Sequence, residues 1–145
     1  MAGKTLTRPY DEKNAGAVSV AEARIDFAAA DARVYLASLP AGAIILRAWF
    51  DIETSFDSGT SDELNMGWGD VGAATSDDII DAVDGTGSGI QGEVGPLPVG
   101  TLAAAQDIYL YHLTGGTAPT AGSAKGYILF ARAADNGESN GFYGA

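Results

Sequence analysis

The chain has 145 residues, 46 % of them hydrophobic, with eight Lys and Arg against nineteen Asp and Glu and a formal charge of −11. That balance excludes a duplex-binding surface, which needs a basic footprint, and the length fits one domain with one core. With no cysteine there is no disulfide framework and no thiolate metal site, so packing must hold the fold, and 20 glycines point to many turns.

Residues 1–16 form a polar opening segment in which Lys4, Arg8 and Lys13 stand against Asp11 and Glu12, so nearly all the negative excess lies in the rest of the chain. Leu6 and Tyr10 are its main apolar residues, and Pro9 favours an extended path through Arg8. This reads as an extended arm, set against the alternative of a terminus with random charges. The first ten residues lack the apolar run of a signal peptide, and no stretch has the length of a membrane span. The expectation is a soluble protein made and assembled in a cytoplasm, with no membrane partner.

Val18, Val20, Ile25 and Phe27 alternate with Arg24 and Asp26 and suggest an early strand, with a short alanine-rich helix over residues 21–32 as the runner-up. Residues 33–39 alternate Val34 and Leu36 against Arg33 and Tyr35, giving a second strand. Pro40, Ala41 and Gly42 make a turn into the longest apolar stretch, residues 39–56. There Ile44, Leu46, Ala48, Phe50, Ile52, Thr54 and Phe56 share one parity, opposite Arg47, Trp49, Asp51 and Glu53. A helix would leave Leu46 and Phe50 among the charges, so this is the central strand.

The polar run after Phe56 is a loop. Its carboxylates Asp57, Asp62 and Glu63 invite a calcium reading, but the EF-hand spacing is absent, and no metal is expected. Leu64, Met66 and Trp68 alternate with Asn65, Gly67 and Gly69 as a short strand. Ser76 as N-cap, Asp77 and Asp78 in a first turn, and Ile79, Ile80 and Val83 as an inward face predict one short helix. Residues 85–92, GTGSGIQG, resemble a phosphate loop, but no Lys and no apolar helix follow, so a turn or bulge is the reading.

Residues 107–113 and 126–133 are strands apolar on both parities, each expected to be covered on two sides. His112 is the sole histidine and has no Ser, Cys or ligand partner nearby in sequence, which makes it a packed or surface residue rather than a catalyst. The tail ends in Phe142 and Tyr143, which either fold back or dock elsewhere.

Together these elements predict an all-β fold, a single-domain antiparallel β-sandwich of jelly-roll-like topology with one short helix. The domain plan is an arm at 1–16, the sandwich at 17–134 and a glycine-rich tail at 135–145. The run of residues 39–45 leading into 51–56, then 64–69 and the acidic 76–81 turn, resembles the head decoration, or cement, proteins of tailed bacteriophages. That resemblance implies no catalytic residues and no cofactor. It implies a homotrimer on the exterior of a capsid, bridging major capsid protein subunits. On that reading the partner-binding residues are Lys4, Leu6, Arg8, Tyr10, Lys13, Phe142 and Tyr143, and nucleic acid is not a partner.

Three other classes stay open. A neck, tail or fibre-associated virion part is one. A carbohydrate-binding sandwich is another, and it would need Trp68, Tyr109 or Tyr111 exposed together as a stacking platform. An enzyme is the third: Asp77 and Asp78 are paired carboxylates, but adjacent residues on a helix do not face each other.

Overall fold

The turn at Pro40 shows how the local sequence sets the architecture. Gly42 has φ +85° and the Ala43 amide donates to the Pro40 carbonyl at 3.1 Å, so the chain reverses with glycine at the position needing positive φ. This turn joins two strands that lie in different sheets. The computed structural model describes residues 18–68, 78–96 and 102–132. Within them are β1 (Val18–Asp26), β2 (Ala32–Leu39), β3 (Ala43–Thr54), β4 (Ser61–Trp68), β5 (Ile80–Asp84), β6 (Gly89–Val94), β7 (Gln106–Gly115) and β8 (Ser123–Arg132).

The strands form two four-stranded antiparallel sheets, sheet A in the order β1-β8-β3-β6 and sheet B in the order β2-β7-β4-β5. Partners nest: β1 with β8, β2 with β7, β3 with β6, and β4 with β5. A single long antiparallel ribbon rolled around itself gives this pairing, and that is the jelly roll. The core lies between the sheets, with Ile45, Phe50 and Ile128 from sheet A against Leu64, Met66, Ile108 and Leu110 from sheet B. Each such side chain, once buried, contributes roughly 1.5–3 kcal/mol. Gly126 lets the sheets close, since a Cβ there would collide with the Leu110 side chain.

Two expectations are corrected. The predicted short helix is absent from its described part, where residues 80–84 form strand β5 and Ile80 and Val83 are both buried. Their helix-like spacing comes from a bulge: Leu64 pairs with Val83 and Met66 with Ile80, so two residues on β5 stand opposite Asn65. Ala82, at φ +56°, takes up the extra residue. In β3 the expected core parity holds only for its second half. The register shifts between Ile45 and Arg47, so Ala43 and Ile45 face the core before the bulge, and Ala48, Phe50 and Ile52 after it. Ile44 and Leu46 are half-buried instead.

Candidate interaction surface

The outer face of sheet A is assembled by register. Cross-strand rows read Val18–Ala131–Ile44, then Val20–Leu129–Arg47, then Glu22–Tyr127–Trp49, then Arg24–Lys125–Asp51. Alternation turns these residues away from the core, because Ala21, Ala23 and Ile25, and Ala124 and Ile128, fill the inward positions. The face therefore changes character along its length.

At one end it is charged. Lys125 Nζ lies 3.6 Å from Glu22 and 3.8 Å from Glu53, and Arg24 pairs with Glu53. Exposed pairs of this kind contribute about 0–1 kcal/mol and mainly keep the surface solvated. At the other end, where β1 begins and β8 ends, Val18, Val20, Leu129 and Ile44 form a mainly apolar area that also holds Arg47. Val18 and Val20 are 56 % and 58 % exposed, far more than an inward valine. Trp49 stacks on Tyr127 with centroids 5.1 Å apart at 11°, and Arg47 caps the stack, its guanidinium 5.2 Å from the Trp49 ring and paired with Glu93. This patch is the candidate interaction surface, and the sequence reading missed it. Trp49 was visible there only as an apolar residue among charges, and the register that brings β1 and β8 beside it is a long-range property.

The outer face of sheet B carries a tyrosine cluster. Arg33 sits over the Tyr109 ring at 4.5 Å, Tyr35 meets Tyr109 edge-on at 5.8 Å, and Tyr109 and Tyr111 are 6.3 Å apart. Tyr111 is fully buried, so Trp68, Tyr109 and Tyr111 do not form the exposed platform that a sugar-stacking site requires. Burial pushes the Tyr111 phenol up from its ordinary value, with the charge of Arg33 opposing.

The loop carboxylates are committed to separate partners. Asp57 accepts from the amides of Thr120 and Ala121 at 2.6 and 2.9 Å and from the Thr120 hydroxyl at 2.6 Å, and these bonds hold its carboxyl below the usual carboxylate range. Asp62 turns inward to His112 at 2.7 Å, and Glu63 accepts from Asn65 at 3.0 Å. His112 is packed in the interior, as its lack of sequence partners suggests, against the Phe56 ring at 4.1 Å. The expected partner-binding residues Lys4, Leu6, Arg8, Tyr10, Lys13, Phe142 and Tyr143 lie outside the described residues, as do Ser76 and Asp77.

No protein-family model matches this sequence, and no curated protein matches it. Solved structures do share the fold. A chain in the capsid asymmetric unit of cyanophage Pam1 aligns over 81 % of this chain and 86 % of its own, with TM-score 0.58 and 16 % identity. A chain in the acid-stable capsid of Helicobacter pylori bacteriophage KHP30 aligns over 81 % and 89 %, with TM-score 0.58 and 11 % identity. At these identities the likeness is one of fold.

Proposed function

We propose that this chain is a structural virion protein that sits on the outer surface of a bacteriophage capsid and stabilises it by bridging major capsid protein subunits. The observation that supports this reading is the nested eight-strand jelly roll, which matches chains of two phage capsid structures along nearly their whole length. The described residues fit a mechanical role. Asp57 is spent on the Thr120 and Ala121 amides and Asp62 on the one histidine, and no group of three or more His, Asp and Glu among the described residues is placed to hold a metal ion.

The proposed mechanism is burial of apolar area across seams between capsomers. At about 25 cal/mol per Å², a contact of standard size opposes separation of the seam under the pressure of packaged DNA. On this reading the protein acts as a homotrimer, as the resemblance to head decoration proteins implies. Light scattering at micromolar concentration tests the trimer, and a monomer or dimer mass counts against it.

Placement is tested by adding purified protein to heads that lack it and imaging them by electron microscopy. The expected result is new density at threefold or quasi-threefold positions on the outer shell. Density at a vertex, neck or tail supports the alternative virion part, and no binding removes the capsid reading.

A further inference from the structure

We propose that the outer edge of β1 is a self-association surface, on which residues 20–26 of a second copy of this chain pair antiparallel with the same residues of the first and continue sheet A across a two-fold axis. The contact goes beyond the capsid reading and does not rest on it. Where the threefold contact forms as well, this one joins trimer to trimer.

Among the described residues, β1 and β6 end sheet A and β2 and β5 end sheet B, and three of these four edges are interrupted. The register of β2 shifts between Tyr35 and Ala37, β5 holds Ala82 at φ +56°, and β6 holds Gly89 and Gly92 at positive φ. β1 is the exception. Its ladder to β8 runs without a shift from Val18–Ala131 to Asp26–Ser123, and its sequence VSVAEARID has no Pro, Gly or Lys to blunt the edge. Such an edge offers a row of backbone N–H and C=O groups that another strand can complete.

The side chains of β1 select a second β1 in one register. Ala21, Ala23 and Ile25 face the core, while Val20, Glu22, Arg24 and Asp26 face outward, so a shift of one residue would set inward side chains against outward ones. With Ala23 opposite itself on the axis, Glu22 of each copy stands opposite Arg24 of the other, and Ala21 meets Ile25. The inner side stays apolar across the join. Sliding either copy by two residues sets Glu22 against Glu22 or Arg24 against Arg24, which is unfavourable. The charges already present fit the same order, because the outer row Asp51–Lys125–Arg24 then continues into Glu22 of the second copy. Exposed Asp26 faces Val20 at the end of the ladder. Charge pairs on an open face add little affinity, so they set the register while the backbone bonds hold the copies together.

The chain has no cysteine, so Ala23→Cys in the full chain puts one thiol per copy at the axis. Mild oxidation is expected to link this variant into covalent dimers, whereas Ala21→Cys, on the same inward face but level with Ile25 of the second copy, stays largely unlinked. Equal linkage of the two variants, or none with Ala23→Cys, overturns the proposal, and a trimer mass in solution alongside that result leaves the proposed function standing. The charges are tested in the Ala23→Cys background. Glu22→Arg is expected to cut the linked fraction several-fold, and adding Arg24→Glu to restore it, since opposite charges again face each other across the join. Linkage that Glu22→Arg does not change, or that the double exchange does not restore, overturns the proposed pairing.

Discussion

His112 and Asp62 meet in the interior, Nε2 to Oδ1 at 2.7 Å, with both side chains fully enclosed. A carboxylate only accepts, so Nε2 donates, while the buried Nδ1 has no hydrogen-bond partner. Asp62 also accepts from the Ser58 amide at 2.8 Å and from its hydroxyl, so one carboxylate ties the β3–β4 loop to β7. Asp62→Ala should cost about 3 kcal/mol, because it leaves three donors without their acceptor, one of them the enclosed His112 Nε2. Combining it with His112→Phe should cost less than the two single changes added together, by roughly 0.5–3 kcal/mol of coupling. Urea denaturation of the four proteins gives the cycle, and strict additivity would show that the pair does not act as a unit.

A second prediction concerns acid. Three hydrogen bonds from Thr120 and Ala121 depress the Asp57 carboxyl in the folded chain below its ordinary 3.8. A depressed folded value means that its contribution to stability is present above the unfolded value and is lost as pH falls through the folded one. Unfolding midpoints should therefore drop as pH is lowered below about 4, and Asp57→Asn should flatten part of that drop. Identical pH profiles for the two proteins would mean that the loop clamp is not linked to folding.

The β5 bulge gives a third. Ala82 is the one non-glycine residue at positive φ among the described residues, and its amide donates to Asn65 Oδ1 at 2.6 Å. An L side chain there costs about 1 kcal/mol, so Ala82→Gly should be neutral to stabilising by up to about 1 kcal/mol, while Asn65→Ala should destabilise by about 1–2 kcal/mol. Thermal unfolding separates the two directions. A clearly destabilised glycine variant would mean that the bulge is not held as described.

The same bulge explains what the sequence conceals. The sandwich, the Pro40 turn and the strands β1 to β4, β7 and β8 are legible because local alternation and turn residues agree with the fold. β5 is not, since one inserted residue converts a period of two into a spacing that imitates a helix at Ile79, Ile80 and Val83. β6 is hidden by its glycines: Gly89 and Gly92 have φ +74° and +65°, and Gly92 leaves room for the Val83 side chain. The apolar patch was out of reach for another reason. Val20, Leu129 and Trp49 become neighbours only through ladders that join opposite ends of the chain.

The last prediction concerns residues 1–16, the proposed docking arm. Lys4, Arg8 and Lys13, three of the eight basic residues, fall in this short segment ahead of an acidic body. Its apolar residues are chiefly Leu6 and Tyr10, too few to offset the entropy of ordering it in isolation, whereas contact with a partner surface supplies the missing area. The charges draw the arm to acidic surfaces, over a range that salt shortens to about 10 Å at 0.1 M. Deleting residues 1–14 should leave the thermal midpoint of the isolated protein nearly unchanged, because the segment offers so little apolar area, chiefly Leu6 and Tyr10. The same deletion should weaken attachment to heads and make what remains less sensitive to salt. Equal binding by the truncated and full chains, or unfolding of the truncated chain, would show that these residues do not dock the protein on its partner.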